Sequence, residues 1–517
     1  MATPAENLAT SLKALKKLQD AGKIAIKTAD LSRTNRERLL KNGFLKEVTK
    51  GWYIATPPDE REGDSTSWYT SYWAFCAGYL NERYGGDYFI SPDQSLLMHV
   101  GNRTIPQQLI IRTSRGVNHK TPLPYNTSLW NWQSPLPRAA KFVEMQGLRM
   151  MDLPSSLVFC TVSMFTHNEA DVRTALAMLT DASAISRILL EGGHSTIAGR
   201  IAGAFRSMGK EKIADDIVKS MQAAGYNVRE TNPFKKEVPP GLFTTERSPY
   251  INRIKQLWYD MRETVIAVFP AAPSLPADKE KYLKEVEDMY AADAYHSLSI
   301  EKYSVSPELI EKVKSGNWDY HNKKEDKLQR DAMAARGYWQ AAQKVRESIR
   351  KILDGANAGK VAHDDYGYWY RELFAPSVQA GIIQAADLAG FRNKQVFISG
   401  SRHVPLNNEA VRETMPLLFD LLAQESEAVV RAVLGHFIFV YIHPYTDGNG
   451  RMGRFLMNVM LASGGYPWTV IPVQLRNEYM QALEQASTER NMEPFARFIA
   501  YLVNASLRGE PIAKNPA

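Results

Sequence analysis

The sequence predicts a mainly α-helical chain: a second half that is all-helical apart from one β-hairpin, preceded by a mixed α/β segment and a small amino-terminal unit. Three observations carry this. Helical spacing with caps recurs from Tyr250 onward, and two apolar runs there, "EAVVRAVLGHFIFVYI" and "RMGRFLMNVMLASGG", are too long for strands. Alternating apolar and polar residues are confined to the first 230 residues and one stretch near residue 400. Between the halves, "ETNPFKKEVPPGLFTTERSPY" carries prolines up to Tyr250 and reads as a linker. The division expected is 1–60, 61–230, a linker at 231–248, and 249–510.

Leu8, Leu12, Leu15 and Leu18 have helical spacing and stop at Gly22. "IKTADLS" follows as a short turn-and-helix, "RTNRERLLKNG" as a basic helix closed by Gly43, and "FLKEVTKGWYIAT" as a hairpin around Lys50-Gly51. Helices and a hairpin in so short a stretch form a winged-helix plan, which "PPDEREGD" breaks off. In the middle segment "DYFISPDQSLLMHVG" reads as a strand entering a helix, and "QQLIIRTSRG" and "SLVFCTVSMF" read as strands. His99, His119, His167 and His194 are scattered, so no catalytic cluster emerges there. Further on, "PADKEKYLKEVEDMYAADAYHSLSIE" makes one or two helices, Ser306 and Pro307 start another as N-cap and first residue, and 326–353 is a long amphipathic helix. "KQVFISGSRHVPL" is the strand-turn-strand stretch, with Gly400-Ser401 at its tip.

Composition sets the class. Hydrophobic content of 44% and charged content of 23% are those of a soluble globular protein. The start has no signal-like apolar stretch, and the longest apolar run is too short to span a bilayer. Cys76 and Cys160 alone make neither a disulfide framework nor a cysteine zinc site. A cytoplasmic location, away from membranes, is expected. The net charge is +7, and residues 1–50 hold eleven Lys/Arg against five Asp/Glu, so most of the excess lies in the first tenth of the chain. That favours an acidic partner there.

The chemistry concentrates in "HPYTDGNGRMGR", residues 443–454, a loop running into a helix. A helix N-terminus offers unpaired N–H groups, a natural phosphate seat. Gly448 and Gly450 let the backbone turn N–H groups inward, and Asn449 between them adds a side-chain donor. Arg451 and Arg454 can hold a polyphosphate together. Asp447 beside bare phosphate needs a cation, and Mg²⁺ satisfies it. His443 is a candidate general base for a hydroxyl. The loop has no nucleophile of its own, so the attacking group comes from a second substrate.

These residues closely resemble the Fic family signature, His-x-Phe-x-(Asp/Glu)-Gly-Asn-Gly-Arg-x-x-Arg, with Tyr445 in place of Phe. The resemblance extends to "FIFVYI", "QVFISGSRHVPL" and "NEYMQALEQA" and covers roughly residues 245–505. It implies an all-helical Fic domain with a β-hairpin flap and transfer of AMP from ATP to a Ser, Thr or Tyr hydroxyl of a protein. On that likeness His443 is the base, with Asn449 and Arg451 completing the catalytic set. Asp447 holds Mg²⁺, Gly448, Asn449 and Gly450 form the anion hole, Arg451 meets the β-phosphate, and Arg454 meets the γ-phosphate. Asn477 and Tyr479 contact the nucleoside. Phe397, Ile398, Ser399 and Gly400 belong to the flap that pairs with the target's backbone. Glycine at 450, where phosphate-transferring relatives carry lysine, favours AMP transfer.

"SLSIEK" resembles the family's inhibitory helix, with Ser297 and Glu301 on one face. The likeness makes Glu301 a brake that pairs with Arg454, although Lys302 stands where the pattern has Gly or Asn. Residues 10–55 and "ISPDQSLLMHVG" resemble the winged helix and second part of type IV, abortive-infection antitoxins. That likeness places Arg33, Arg36, Arg38 and Lys41 on duplex DNA, with Lys46 and Lys50 reaching phosphates from the wing. The expected partners are therefore ATP with Mg²⁺, a protein substrate that includes this chain itself, DNA, and a second copy in a homodimer. The competing readings are a DNA-binding regulator or toxin–antitoxin-type fusion whose Fic half is a nucleotide-responsive switch, and removal of AMP with Glu301 orienting water.

Overall fold

The computed structural model describes residues 3–60, 63–115, 118–135, 137, 139–234, 248–315, 326–510 and 512–513, with the side chains of 326–329 left aside. Most of the linker expected at 231–248 lies outside the described residues. The chain is mainly helical, with small β-sheets in its first part. It divides into two compact units, one of residues 1–253 with 397–404, the other of 254–396 with 405–517.

The first unit begins with helix α1 (Pro4–Asp20), in which Thr3 and Glu6 cap each other's backbone N–H groups. Strand β1 (Ile26–Lys27), a 3₁₀ turn (Thr28–Asp30), helix α2 (Arg33–Lys41), β2 (Leu45–Thr49) and β3 (Trp52–Ala55) follow. The three strands form an antiparallel sheet in the order β1-β3-β2. Leu15, Ile26, Leu31, Leu39, Leu45 and Tyr53 close the core beneath it.

Helix α3 (Thr66–Tyr84), β4 (Phe89–Ile90), α4 (Pro92–His99), β5 (Gln108–Thr113), β6 (His119–Pro122), β7 (Ser128–Gln133), β8 (Phe142–Met145) and β9 (Leu148–Met151) come next. The expected strand at "QQLIIRTSRG" is β5, which pairs parallel with β7. "SLVFCTVSMF" is a correction: it is not a strand but falls in helices α5 (Leu153–Phe159) and α6 (Met164–His167). Asp152 accepts from Ser155 N at 2.9 Å and Pro154 sits in the first turn, so a cap overrides the β-branched composition. Helices α7 (Glu169–Ala177), α8 (Ser183–Gly192), α9 (Ser195–Ser207) and α10 (Glu211–Ala223) complete a helical layer with its own apolar core.

The second unit contains helices α11 (Pro249–Val268, its first turn counted with the first unit), α12 (Lys279–Asp288), α13 (Tyr290–Ile300), α14 (Pro307–Lys314), α15 (Asp326–Leu353), α16 (Ala358–Gln379), α17 (Asn408–Gln424), α18 (Ala428–Ile442), α19 (Asn449–Ala462), α20 (Arg476–Thr488) and α21 (Glu493–Leu507). Ser306 does cap α14, with Pro307 in its first turn. Every residue of α18 except Arg431 and Val440 is buried, as a helix apolar on all sides must be. Helix α19 is buried almost as fully and packs against α15, α16 and α18, so the loop joining α18 to α19 rests on a rigid floor.

The stretch 397–404 corrects a second expectation. Gly400 has φ +76 and Ser401 N–H donates to Ile398 O at 3.1 Å, so the turn is where the sequence puts it. The arms, however, form no strand ladder. Within the first unit, Phe397 and Val404 pack into the core under β4 and β5, Ile105 N–H donates to Arg402 O at 3.0 Å, and Ser399 and Thr66 share a hydroxyl contact of 2.9 Å. The Arg402 carbonyl, which a hairpin would pair with the opposite arm, is taken by Ile105.

Candidate active site

Helix α18 ends because His443 turns left-handed, at φ 55 and ψ 63, while its N–H still donates to Phe439 O. Proline follows and cannot continue the helix. The His443 ring bonds through Nδ1 to Val440 O at 3.1 Å. A carbonyl can only accept, so Nδ1 carries the hydrogen and Nε2 keeps its lone pair. Burial pushes the imidazole down to about 4, with Arg392 adding to the shift against Val440 O, Glu301 and Asp447. At neutral pH the ring is an uncharged base with Nε2 available.

Arg392 was invisible in the sequence. It is buried, and its guanidinium donates to the carbonyls of His443 (2.7 Å), Lys394 (2.9 Å), Leu406 and Ile442 (3.4 Å). One side chain thus ties the left-handed turn at His443 to both stems of the 397–404 segment. Burial lowers its pKa to about 10, which leaves it charged at neutral pH.

The loop is braced by Asn449. Its Oδ1 accepts from Tyr445 N at 2.9 Å and its Nδ2 donates to Tyr445 O at 2.8 Å. The side chain expected to donate to an anion is thus engaged with the loop's own backbone. Tyr445 is buried and stacks on Tyr370 with ring centres 3.7 Å apart, so the aromatic anchor survives the change from Phe. Gly448 has φ +83, and a Cβ there would lie 2.7 Å from the Phe374 ring. Glycine is required by both conformation and space.

Arg451 and Arg454 leave the first and second turns of α19 and are almost fully buried. The Arg451 guanidinium lies between the rings of Tyr303 and Phe374, 5.0 and 4.9 Å from their centres. Its Nη2 is 3.3 Å from Asp447 Oδ1, yet Nε and Nη2 have no aligned hydrogen bond. Arg454 donates through Nε to Ser297 Oγ (2.8 Å) and through Nη2 to Ser297 O (3.0 Å) and Glu301 Oε1 (2.8 Å), while Nη1 is buried without a partner. Burial opposes the Arg454 charge, but Glu301, Tyr479 and Tyr338 together outweigh it and raise the pKa. The Glu301 carboxylate lies directly over the start of α19: a Cβ on Gly450 would be 2.1 Å from Glu301 Oε1. An anion of the chain itself sits at this helix N-terminus.

Glu301 is held there from below. Ser297 and Glu301 end α13, where Lys302 is left-handed at φ 67 and Tyr303 N–H donates to Leu298 O at 3.1 Å. Arg476 Nε caps the same end through Ile300 O at 2.8 Å. Beneath Arg454, the buried Asp293 accepts from Tyr338 OH at 2.6 Å, and burial raises its pKa to about 6.

Asp447 is more than half exposed and accepts from Gly448 N at 2.6 Å. No cluster of three His, Cys, Asp or Glu among the described residues could hold a metal. A lone, solvent-facing carboxylate fits Mg²⁺ only where phosphate oxygens and water supply the remaining ligands.

The expected nucleoside contacts fare differently. Tyr479 is buried, and its hydroxyl meets His436 Nε2 at 2.8 Å beside Phe495. Asn477 is exposed in the first turn of α20. In the amino-terminal unit, Arg38 donates to Asn7 O and Ser11 Oγ, both at 2.9 Å, and Arg36 to Thr28 O at 3.1 Å. Lys46 Nζ donates to Tyr125 OH at 2.8 Å. These three fasten the unit internally; Arg33, paired with Glu37, Lys41 and Lys50 project outward. No helix among the described residues is long and apolar enough to cross a membrane.

Residues 361–461 match the model of the Fic/DOC family. A protein adenylyltransferase Fic of Nematostella vectensis is 26% identical over 258 residues, 49% of this chain and 56% of that protein. Protein adenylyltransferase fic-1 of Caenorhabditis elegans is 32% identical over 155 residues, 29% of this chain and 28% of that protein. The chain thus spans about half, or less, of the length of these curated relatives. A solved structure of a C. elegans Fic-1 fragment aligns over 68% of this chain and 97% of its own, with 19% identity and a TM-score of 0.37. Over the matched segment the chain is similar to the Fic/DOC family and to protein adenylyltransferases Fic.

Proposed function

We propose that the chain is a Mg²⁺-dependent protein adenylyltransferase, moving AMP from ATP to a Ser, Thr or Tyr hydroxyl of a protein and restrained in cis by Glu301. The observation that carries this is the buried guanidinium nitrogens Arg451 Nε and Arg454 Nη1, which make no hydrogen bond, beside the glycine-lined start of α19. Buried donors without acceptors are costly, about 1–3 kcal/mol each, and a polyphosphate supplies the acceptors.

His443 Nε2 takes the proton of the target hydroxyl. The oxygen attacks the α-phosphorus, the bond to the β-phosphate oxygen breaks, and pyrophosphate leaves. Backbone N–H groups of Gly448, Asn449 and Gly450 and the Arg451 guanidinium face the charge on the phosphates. Arg454 fixes the far end of the triphosphate once Glu301 yields. Asp447 would hold Mg²⁺, which, when bound, neutralises phosphate charge.

Labelled ATP with Mg²⁺, wild type beside His443→Ala, tests the reading. Transfer is expected to vanish in the variant while ATP binding persists. Labelling by His443→Ala at the wild-type rate would overturn it.

A further inference from the structure

We propose that a basic groove of about 880 Å³ in the second unit, walled by α16, the 386–396 segment and the catalytic loop, binds an acidic segment of the protein substrate. The inference rests on the reading that the target is a protein. It adds what recognises that target beyond the reacting hydroxyl.

Position comes first. One wall ends at Gln395 and Val396, where the chain enters the 397–404 segment, and the other is Tyr445 and Thr446, between His443 and Asp447. A polypeptide delivering a hydroxyl to His443 has its flanking residues within reach of this groove. Charge is the second observation. Arg371, Lys394 and Arg412 line it and are exposed, and none has a carboxylate partner among the described residues. Arg412 donates only to the neutral Asn393 Oδ1 and Asn408 O, and Arg371 lies over the Tyr368 ring. Arg392 adds a fourth, buried cation. The one acidic lining residue, Asp387, accepts from Gln384 N in a 3₁₀ turn and does not pair with these cations. Shape is the third. The groove exceeds what one side chain fills, and its floor includes Tyr370 and Tyr445, stacked and held rigid. Cations on a stiff aromatic floor, with their charge uncompensated, suit a short run of Asp and Glu.

The test needs no nucleotide, so it succeeds or fails independently of AMP transfer, which labelled ATP reports on the same preparation. Fluorescence anisotropy of the full chain is read with three probes: a serine-containing peptide flanked by Asp and Glu, the same peptide with Lys in their place, and a single-stranded oligonucleotide of equal charge. The acidic peptide is expected to bind at least tenfold more tightly than the basic one and to weaken as salt rises. Arg371→Ala/Arg412→Ala is expected to cost about tenfold, two exposed ion pairs' worth, and Arg371→Lys/Arg412→Lys to restore most of it. Equal binding of the acidic and basic peptides, or an unchanged affinity in the Ala pair, would overturn the proposal. So would an oligonucleotide that binds more tightly than the acidic peptide and is lost in the same variant, since the groove would then read phosphates.

Discussion

Removing Glu301 tests the proposed brake. The pair is short, 2.8 Å between Arg454 Nη2 and Glu301 Oε1, with the Arg454 side chain 3% exposed and that of Glu301 27%. Unit charges about 4 Å apart at an effective dielectric near 20 attract by about 4 kcal/mol. Desolvation of Glu301 and its lost rotamer freedom offset roughly half of that, leaving about 2 kcal/mol that ATP must overcome to seat its γ-phosphate. Glu301→Gly should therefore tighten ATP binding about thirtyfold and raise self-labelling by a similar factor. Glu301→Gln separates charge from bulk: its amide still fills the space over Gly450 but loses the ionic attraction, so it should fall between the two. Titration calorimetry with ATP and Mg²⁺ gives the affinity and labelled ATP the rate. In Glu301→Gly/Arg454→Ala the gain should disappear, because the group released by the first change is removed by the second. If Glu301→Gly binds ATP no better than wild type, the carboxylate does not occupy the phosphate position and α13 is only packing.

The His443 ring sits at about 4, so the acid limb of kcat/KM in a Glu301→Gly background should fall well below pH 6; a limb at the ordinary histidine value near 6.5 would refute the burial argument. Asp293, raised to about 6, favours the fold while protonated, so that contribution is present below about pH 4 and is lost as pH rises through 6. Asp293→Asn keeps an acceptor for Tyr338 OH without the charge; its stability advantage over wild type, read by hydrogen exchange in α13 and α15, should grow by up to about 3 kcal/mol between pH 4 and 6 and stay flat above, and no growth across that window would refute it. For DNA, with Arg36, Arg38 and Lys46 engaged internally, the full chain has Arg33, Lys41 and Lys50 to offer, giving a log–log salt slope near −2.7. Lys41→Ala should reduce that slope by about one and Arg38→Ala should not; no binding at low salt would remove DNA from the list of partners.

What the sequence made legible was contiguous. His443, Asp447, Gly448, Gly450, Arg451 and Arg454 fall within one turn-and-helix, so spacing alone brings them together. The residues it hid come from far along the chain: Arg392 reaches His443 O across 51 positions, and Phe374 and Tyr303 enclose Arg451 from separate helices and loops. No local pattern marks an arginine that will serve four carbonyls. The same distance effect misled the reading of residues 397–404, whose alternation is that of a hairpin but whose partners lie near residues 66 and 105. Position in a pattern marks Tyr479 and Asn449 but not their side-chain partners, His436 for the first and the Tyr445 backbone for the second.

Lys302 shows how tertiary context resolves a local conflict. A left-handed lysine costs about 1 kcal/mol where Gly or Asn would cost less, and the sequence alone leaves open whether α13 still ends in the geometry that aims Glu301. It does end so, because the turn is fixed at three points: Lys302 N–H to Ser299 O, Tyr303 N–H to Leu298 O, and Arg476 to Ile300 O. The ion pair of Glu301 with Arg454 makes a fourth. A strained residue persists where its surroundings over-determine it, and here they include the Glu301–Arg454 pair. Losing that pair removes one of the four constraints at this turn, so Glu301→Gly should also speed hydrogen exchange at the α13 terminus, and unchanged exchange there would refute the link.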